Sequence, residues 1–424
     1  MKSYFAFVLP SLLAYALSGI YSIVDGFFVG NAVSDAGLSA INVAYPLVSV
    51  IQALGTGIGT GGAVLWAVRK AGGSREEADE YLRGSLILLA TSCAAATVLG
   101  LIAAPAALRA FGAAGQVYDY GLDYLTVMMA FSSFQILALG MIPVIRNSGE
   151  ARFAFLTMLA GFLANVFLDW LLVWVFPFGT AGAAYATVAG QGLSALMCAI
   201  FMIRKGLPGP GRCRFFTKRA VSIIRIGIAP FGLALTPMLS LMLINLFSSR
   251  YGGQEAVATY ACISYAITIV QCLLQGVGDG SQPLLSIAYG KGDRDTLAST
   301  ATLSYLTGLA VALLSTLALY LARGSLGALF GASAQVSTLV AAVLPLFLVG
   351  LVFYSVSRVT TACLYATERI LLSYICVYAE PVLLLVLLLI LPVFMGQSGV
   401  WLSVVLSQCA LAVISLAVRR VRGL

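Results

Sequence analysis

RKGLPGPGRCRFFTKR, residues 204–219, is the stretch on which the fold turns. It packs Lys, Arg, Gly and Pro into the middle of a chain of 424 residues that is otherwise 61% hydrophobic and only 9% charged. Mean hydropathy is +1.00. Soluble chains carry roughly 25% charged residues, so a soluble enzyme, a disordered chain and a fibrous one are all excluded. A spanning helix needs about 20 largely apolar residues, and the apolar content suffices for about twelve. Outer-membrane strands would alternate apolar and polar at roughly ten-residue length, and the apolar runs here do not. The expected fold is an all-α membrane protein of twelve transmembrane helices. Two pseudo-symmetric six-helix lobes, 1–203 and 221–424, flank a linker at 204–220.

Working outward, charged and Gly/Pro-rich breaks delimit spans near 4–30, 38–68, 82–104, 122–146, 153–176 and 180–203. The second half reads 221–249, 256–288, 297–322, 338–366, 370–394 and 397–419. The first run continues through Pro10 to Val29, too long for a signal-peptide core. With these spans, 21 of the 24 Lys and Arg fall on one side, Arg358 among them; Arg109, Arg250 and Arg323 fall on the other. The positive-inside rule then places both termini and the linker in the cytoplasm, with the protein in the plasma (inner) membrane. The net charge of +8 reflects topology and anionic lipid rather than nucleic-acid binding. A monomer is expected.

The halves repeat. A shift of 219 carries Gly57, Gly59 and Gly61 onto Gly276, Gly278 and Gly280, Gln52 onto Gln271, and Gly73 onto Gly292. Phe111-Gly112-Ala113 falls on Phe330-Gly331-Ala332, and a shift of 217 carries Gln191 onto Gln408. An even number of spans per repeat makes this a parallel duplication about an axis along the membrane normal, an arrangement that places a substrate path between the halves. Gln52, Gln271 and Asp279 are the candidate substrate contacts there.

Four acids fall inside spans: Asp25, Asp169, Asp279 and Glu380, with no Lys or Arg equally deep. A charge at mid-membrane costs about 2.5–3.5 kcal/mol on insertion scales, so these positions suggest a cavity that attracts cations. Asn165 and Asp169 share a helix face at i, i+4. Asp169 precedes Phe178 by nine residues and Thr187 follows it by nine, so both lie about 13 Å below the turn between antiparallel helices. Asp25 lies about 9 Å down from the same face. Asp25, Asn165, Asp169 and Thr187 therefore converge as an all-oxygen set. Such a set suits a hard cation such as Na⁺ or, because low dielectric disfavours the charged form, a proton. The duplication offers a control: Ile244, Leu384, Leu388 and Val404 stand at the matching places of the second half.

Histidine is absent and the eight Cys are scattered, so a Ser-His-Asp triad, a His-ligated metal and a Cys metal site are excluded. No enzymatic activity and no cofactor are expected, beyond Na⁺ or H⁺ as coupling ion. The runs GTGIGTGG (55–62) and GVGDG (276–280) lie in apolar spans without the phosphate-loop Lys, so they read as close-packing surfaces.

IYSIVDGFFVGNAVSDAGLSAINVAYPL (20–47) resembles the first-helix motif of the multidrug and toxic compound extrusion (MATE) family. RNSGEARFA (146–154), NVFLD (165–169), GTAGAAYATVAGQ (179–191), GDGSQPLLSIAYGKGD (278–293) and SGVWLSVVLSQ (398–408) extend the resemblance over essentially the whole chain. The resemblance implies a twelve-helix antiporter exporting cationic or amphipathic compounds against an inward Na⁺ or H⁺ gradient. It places a first-lobe cation site on Asp25, Asn165, Asp169 and Thr187. The acid that one branch carries on its seventh helix has no counterpart between Val221 and Ser249. A lipid-linked saccharide flippase of the same superfamily is the alternative, although it favours a basic cavity.

Overall fold

The computed structural model describes residues 2–211, 213–329 and 332–421, and the side chains of all of these except positions 2, 3, 22, 23, 25, 26, 35, 420 and 421. Helices α1 (Lys2–Ala32), α2 (Asp35–Ala71) and α3 (Arg75–Ala110) come first. They are followed by α4 (Gln116–Ala130), α5 (Ser132–Asn147), α6 (Ala151–Asp169) and α7 (Gly179–Arg204). After the linker come α8 (Phe216–Lys291), α9 (Arg294–Leu329), α10 (Ala334–Ala366), α11 (Ile370–Met395) and α12 (Gln397–Val421). No strand occurs among the described residues.

Ten helices are individually long and apolar enough to cross a membrane. Two structural facts bring the count to twelve spans. First, α4 and α5 are bent by 55° across Phe131 and form one broken span, where the sequence suggested a single helix over 122–146. Ser132, at the break, shares a 3.0 Å hydrogen bond with Thr97 of α3. Second, α8 has 76 residues, about 114 Å of helix at 1.5 Å per residue, against a hydrocarbon core of about 30 Å. It is two spans joined at Gly253 (φ 65°, ψ −160°), a conformation outside the helical region. Gly253 stands 219 residues after Ser34, the residue that caps α2 by accepting from the Gly37 amide at 3.2 Å.

The duplication is written into the backbone as well. Gly73 (φ 90°) and Gly292 (φ 70°) are left-handed at one equivalent turn, and Gly179 (φ 61°) and Gly396 (φ 57°) at another. Gly149 (φ 99°) corresponds to Glu368 (φ 56°), the one non-glycine in that region among the described residues. A side chain in a left-handed turn carries strain, so the turn geometry persists there despite its residue.

By contacts the chain forms two compact units: Met1–Leu235 with Gly290–Gly292, and Thr236–Tyr289 with Asp293–Leu424. The division falls inside α8 rather than at the 204–220 linker. Glycines explain it. A Cβ on Gly57 would lie 2.9 Å from the Gly227 carbonyl oxygen, and one on Gly227 would meet the Gly57 carbonyl in turn. The start of α8 therefore lies against α2 backbone to backbone. Gly59 approaches Gly140 of α5 in the same way, so the glycine run is a packing surface used on two sides.

Candidate functional site

In the first unit, α6 and α7 are held together by glycine. A Cβ on Gly190 would fall 2.6 Å from the Gly161 carbonyl oxygen and 3.1 Å from the Asn165 Cβ. That close approach buries one stripe of α6, at Gly161, Asn165 and Asp169. Asn165 is 1% exposed, Asp169 0% and Thr187 6%. Immediately after Asp169 the helix widens into a π turn, Trp170–Val175, a feature frequent at functional sites.

Helix α1 closes the stripe. Tyr21 packs edge-on against Phe162 of α6 with ring centroids 6.1 Å apart. Its hydroxyl donates to Thr187 Oγ1 at 3.0 Å, which leaves Thr187 with its own O–H to give. Val29, Val173 and Ala183 form a small core that joins α1, the π turn and α7. Asp25 lies in α1 one turn beyond Tyr21, and its side chain falls outside the described residues.

The Asn165 amide is the telling group: neither its nitrogen nor its oxygen has a hydrogen-bond partner among the described residues, and both are buried. Buried polar groups are nearly always paired, and an orphan costs about 1–3 kcal/mol. With the Asp169 carboxylate one turn away and the Thr187 hydroxyl on the neighbouring helix, the donor set is oxygen throughout and fits Na⁺ or a proton. Among the described residues no group of three His, Cys, Asp or Glu could hold a transition metal.

The second unit fills the matching positions with hydrocarbon. Ile244, Leu384 and Leu388 are buried in one core, and Val404 packs against it. At these four positions the helix seam therefore closes without polar residues.

The remaining candidates lie apart from this cluster. Gln52 is half-buried on α2 of the first unit; Gln271 is half-buried on α8 in the second. Asp279, two turns beyond Gln271, is buried and accepts a 2.7 Å hydrogen bond from the Tyr365 hydroxyl of α10. A groove of about 580 Å³ between α6 and α7, lined by Leu168, Leu172, Phe178, Ala181, Tyr185 and Ala189, holds none of the candidates.

Two features were missed in the sequence. Tyr21 gave no signal there, because in a largely apolar helix with tyrosines at 4, 15 and 21 the sequence does not show which way each ring faces. Arg358 was assigned to the cytoplasmic rim and instead lies inside α10, 5% exposed. Its electrostatic reach to Glu380 corrects the expectation that no Lys or Arg lies equally deep, for that one acid. Arg146, at the end of α5, is also 5% exposed, with its guanidinium 5.9 Å from the Tyr15 ring centroid.

The sequence model of the MatE family matches residues 10–171 and 231–390. The chain belongs to the MatE family. Among curated relatives, the multidrug export protein MepA of Staphylococcus haemolyticus is 25% identical over 98% of this chain and 92% of its own. The Staphylococcus saprophyticus protein of the same name is 22% identical over 97% and 92%. Among solved structures, the outward-facing conformation of a multidrug resistance MATE family transporter superposes with a TM-score of 0.93 at 22% identity, over 99% of this chain and 95% of that one. A MOP superfamily transporter from Pyrococcus furiosus, whose reversed binding-pocket polarity is reported to suggest a different function, also gives 0.93, at 21% identity over 99% and 95%. These structural likenesses establish the MatE fold. This chain is a multi-pass membrane protein of that family.

Proposed function

We propose that this MatE protein is a cation-coupled antiporter, driven by Na⁺ or H⁺, that exports cationic or amphipathic small molecules by alternating access. The coupling ion binds at Asp25, Asn165, Asp169 and Thr187. Gln52, Gln271 and Asp279 contact the substrate. The protein works as a monomer in the cell membrane with both termini in the cytoplasm. The unpartnered Asn165 amide beside the buried Asp169 carries this reading. A seam that closes with leucine in the second unit keeps an amide and a carboxylate in the first, at a cost that an ion relieves. The whole-length likeness to multidrug export proteins supports the substrate class.

The test is dye export by everted vesicles, driven separately by Na⁺ and by H⁺ gradients. Asp169→Asn preserves shape and removes charge, so gradient-driven export should fall at least about 100-fold, the loss expected when one partner of a buried charge interaction worth about 3–5 kcal/mol is removed. Robust export by this variant, with normal insertion, would make the cluster structural glue.

A further inference from the structure

Ionisable groups in the second unit remain unused by this scheme. Glu380 of α11 is 9% exposed, and its Oε1 accepts a 2.8 Å hydrogen bond from Gln408 Nε2 of α12. Gln408 is 8% exposed, and the other end of its amide, Oε1, has no hydrogen-bond partner among the described residues. The groups facing Glu380 come from three further quarters. Arg358 of α10 lies within electrostatic reach. Tyr354 of α10 and Tyr260 of α8 both sense the Glu380 charge. On α11 itself Cys376, one turn away, accepts from Ser415 Oγ.

The repeat shows what this position is. Glu380, Leu384 and Leu388 form the buried stripe of α11, and the shift of 219 sets them on Gly161, Asn165 and Asp169 of α6. Each unit thus carries one carboxylate in the same helix seam, displaced by two turns, about 12 Å.

We propose that Glu380 is a second ion site, one that exchanges a proton. The proton adds to the carboxylate, with no other bond made or broken covalently. The bond from Gln408 Nε2 is then exchanged for one from the new carboxyl O–H to Gln408 Oε1, after rotation of the amide. Both faces of Gln408 are used in turn, which accounts for its unpartnered oxygen. A proton suits the site better than Na⁺. Hard cations take several oxygen ligands, whereas the hydrogen-bonded pair here is one carboxylate and one amide, with a guanidinium opposing a second positive charge.

Neutralising Glu380 removes a negative charge from the neighbourhood of Tyr354, which Asp279 shares. Resting on the reading of Asp279 as a substrate contact, proton uptake at Glu380 then competes with a cationic substrate, and the substrate expels the proton. Linkage makes the two effects equal in size.

Infrared difference spectroscopy of the purified full-length protein in nanodiscs, from about pH 9 down to about pH 5, tests the site. The protonated-carboxyl band should grow as pH falls and be missing in Glu380→Gln. Gln408→Leu keeps the carboxyl and tests the site independently of whether Glu380→Gln folds. It should move the midpoint by about one pH unit, the worth of one hydrogen bond to a charge. A titrating band unchanged in Glu380→Gln, or a midpoint unmoved in Gln408→Leu, would make Glu380 a fixed structural partner of Arg358 and end the proposal. Failure of the Asp169 reading would leave this titration intact, because the band is read without a gradient and also in the Asp169→Asn background.

Discussion

Replacing Asn165 with leucine separates stability from function. Asn165 is buried with neither amide atom hydrogen-bonded among the described residues. Such a group costs about 1–3 kcal/mol. Leucine has the same number of side-chain heavy atoms in the same branched arrangement, and Leu384 at the equivalent place is buried at 2% exposure, so the seam geometry admits it. Asn165→Leu should therefore stabilise the ion-free protein by about 1–3 kcal/mol, or about 2–12 °C in thermal midpoint at about 2–4 °C per kcal/mol for a unit of this size. The gain should come with a loss of function. A bound coupling ion stabilises the wild type by about 2.7 kcal/mol at a hundred times its dissociation constant, and the variant should show little of that increment. Thermal unfolding in detergent with and without Na⁺, and at two pH values, reads both quantities beside vesicle export. An Asn165→Leu protein that melts below the wild type, or exports as well as it, would refute the reasoning. In either case the amide would be satisfied or idle, and not a ligand in waiting.

Tyr21→Phe removes the hydroxyl that donates to Thr187 Oγ1. It should raise the ion concentration for half-maximal export by about 2–10-fold, the equivalent of one neutral hydrogen bond of about 0.5–1.5 kcal/mol; Thr187→Ala should do at least as much. Gly57→Leu should destabilise the first unit by about 1–3 kcal/mol or more, because its Cβ meets the Gly227 carbonyl; size-exclusion profiles and melting midpoints check this. On a Cys-free background, a membrane-impermeant thiol reagent applied outside should label Cys at position 34 and not at position 209, and the reverse would overturn the topology.

How far the site was legible depends on the kind of signal each residue sends. Asp169 and Thr187 could be set at one height from sequence, because a nine-residue count on either side of Phe178 fixes depth on two antiparallel helices. The helix stripe through Asn165 and Asp169 followed from 3.6-residue periodicity. Both are buried as that reading requires. Tyr21 and Gln408 could not be read in this way. Each occupies a largely apolar helix whose scattered polar residues do not single out an inward face, and only the packed neighbours show where the hydroxyl or amide points. Arg358 was misplaced for a related reason. A helix that extends past the hydrocarbon carries its last turns in water or in protein, and hydropathy does not distinguish the two.

Composition, charge asymmetry and duplication were enough to predict twelve spans and two repeats and to nominate an oxygen-rich cluster in one of them. These are properties of the chain in one dimension: apolar length, the count of Lys and Arg between runs, and a constant offset. Tertiary structure decided the rest. It bent the fourth span at Phe131 and drew the start of α8 into the first unit through Gly57 and Gly227. It left the Asn165 amide unpartnered and set Gln408 against Glu380. Each of these depends on which side chains meet across a helix seam. That is settled by close packing among neighbours far apart in sequence, and a residue's own polarity does not disclose it.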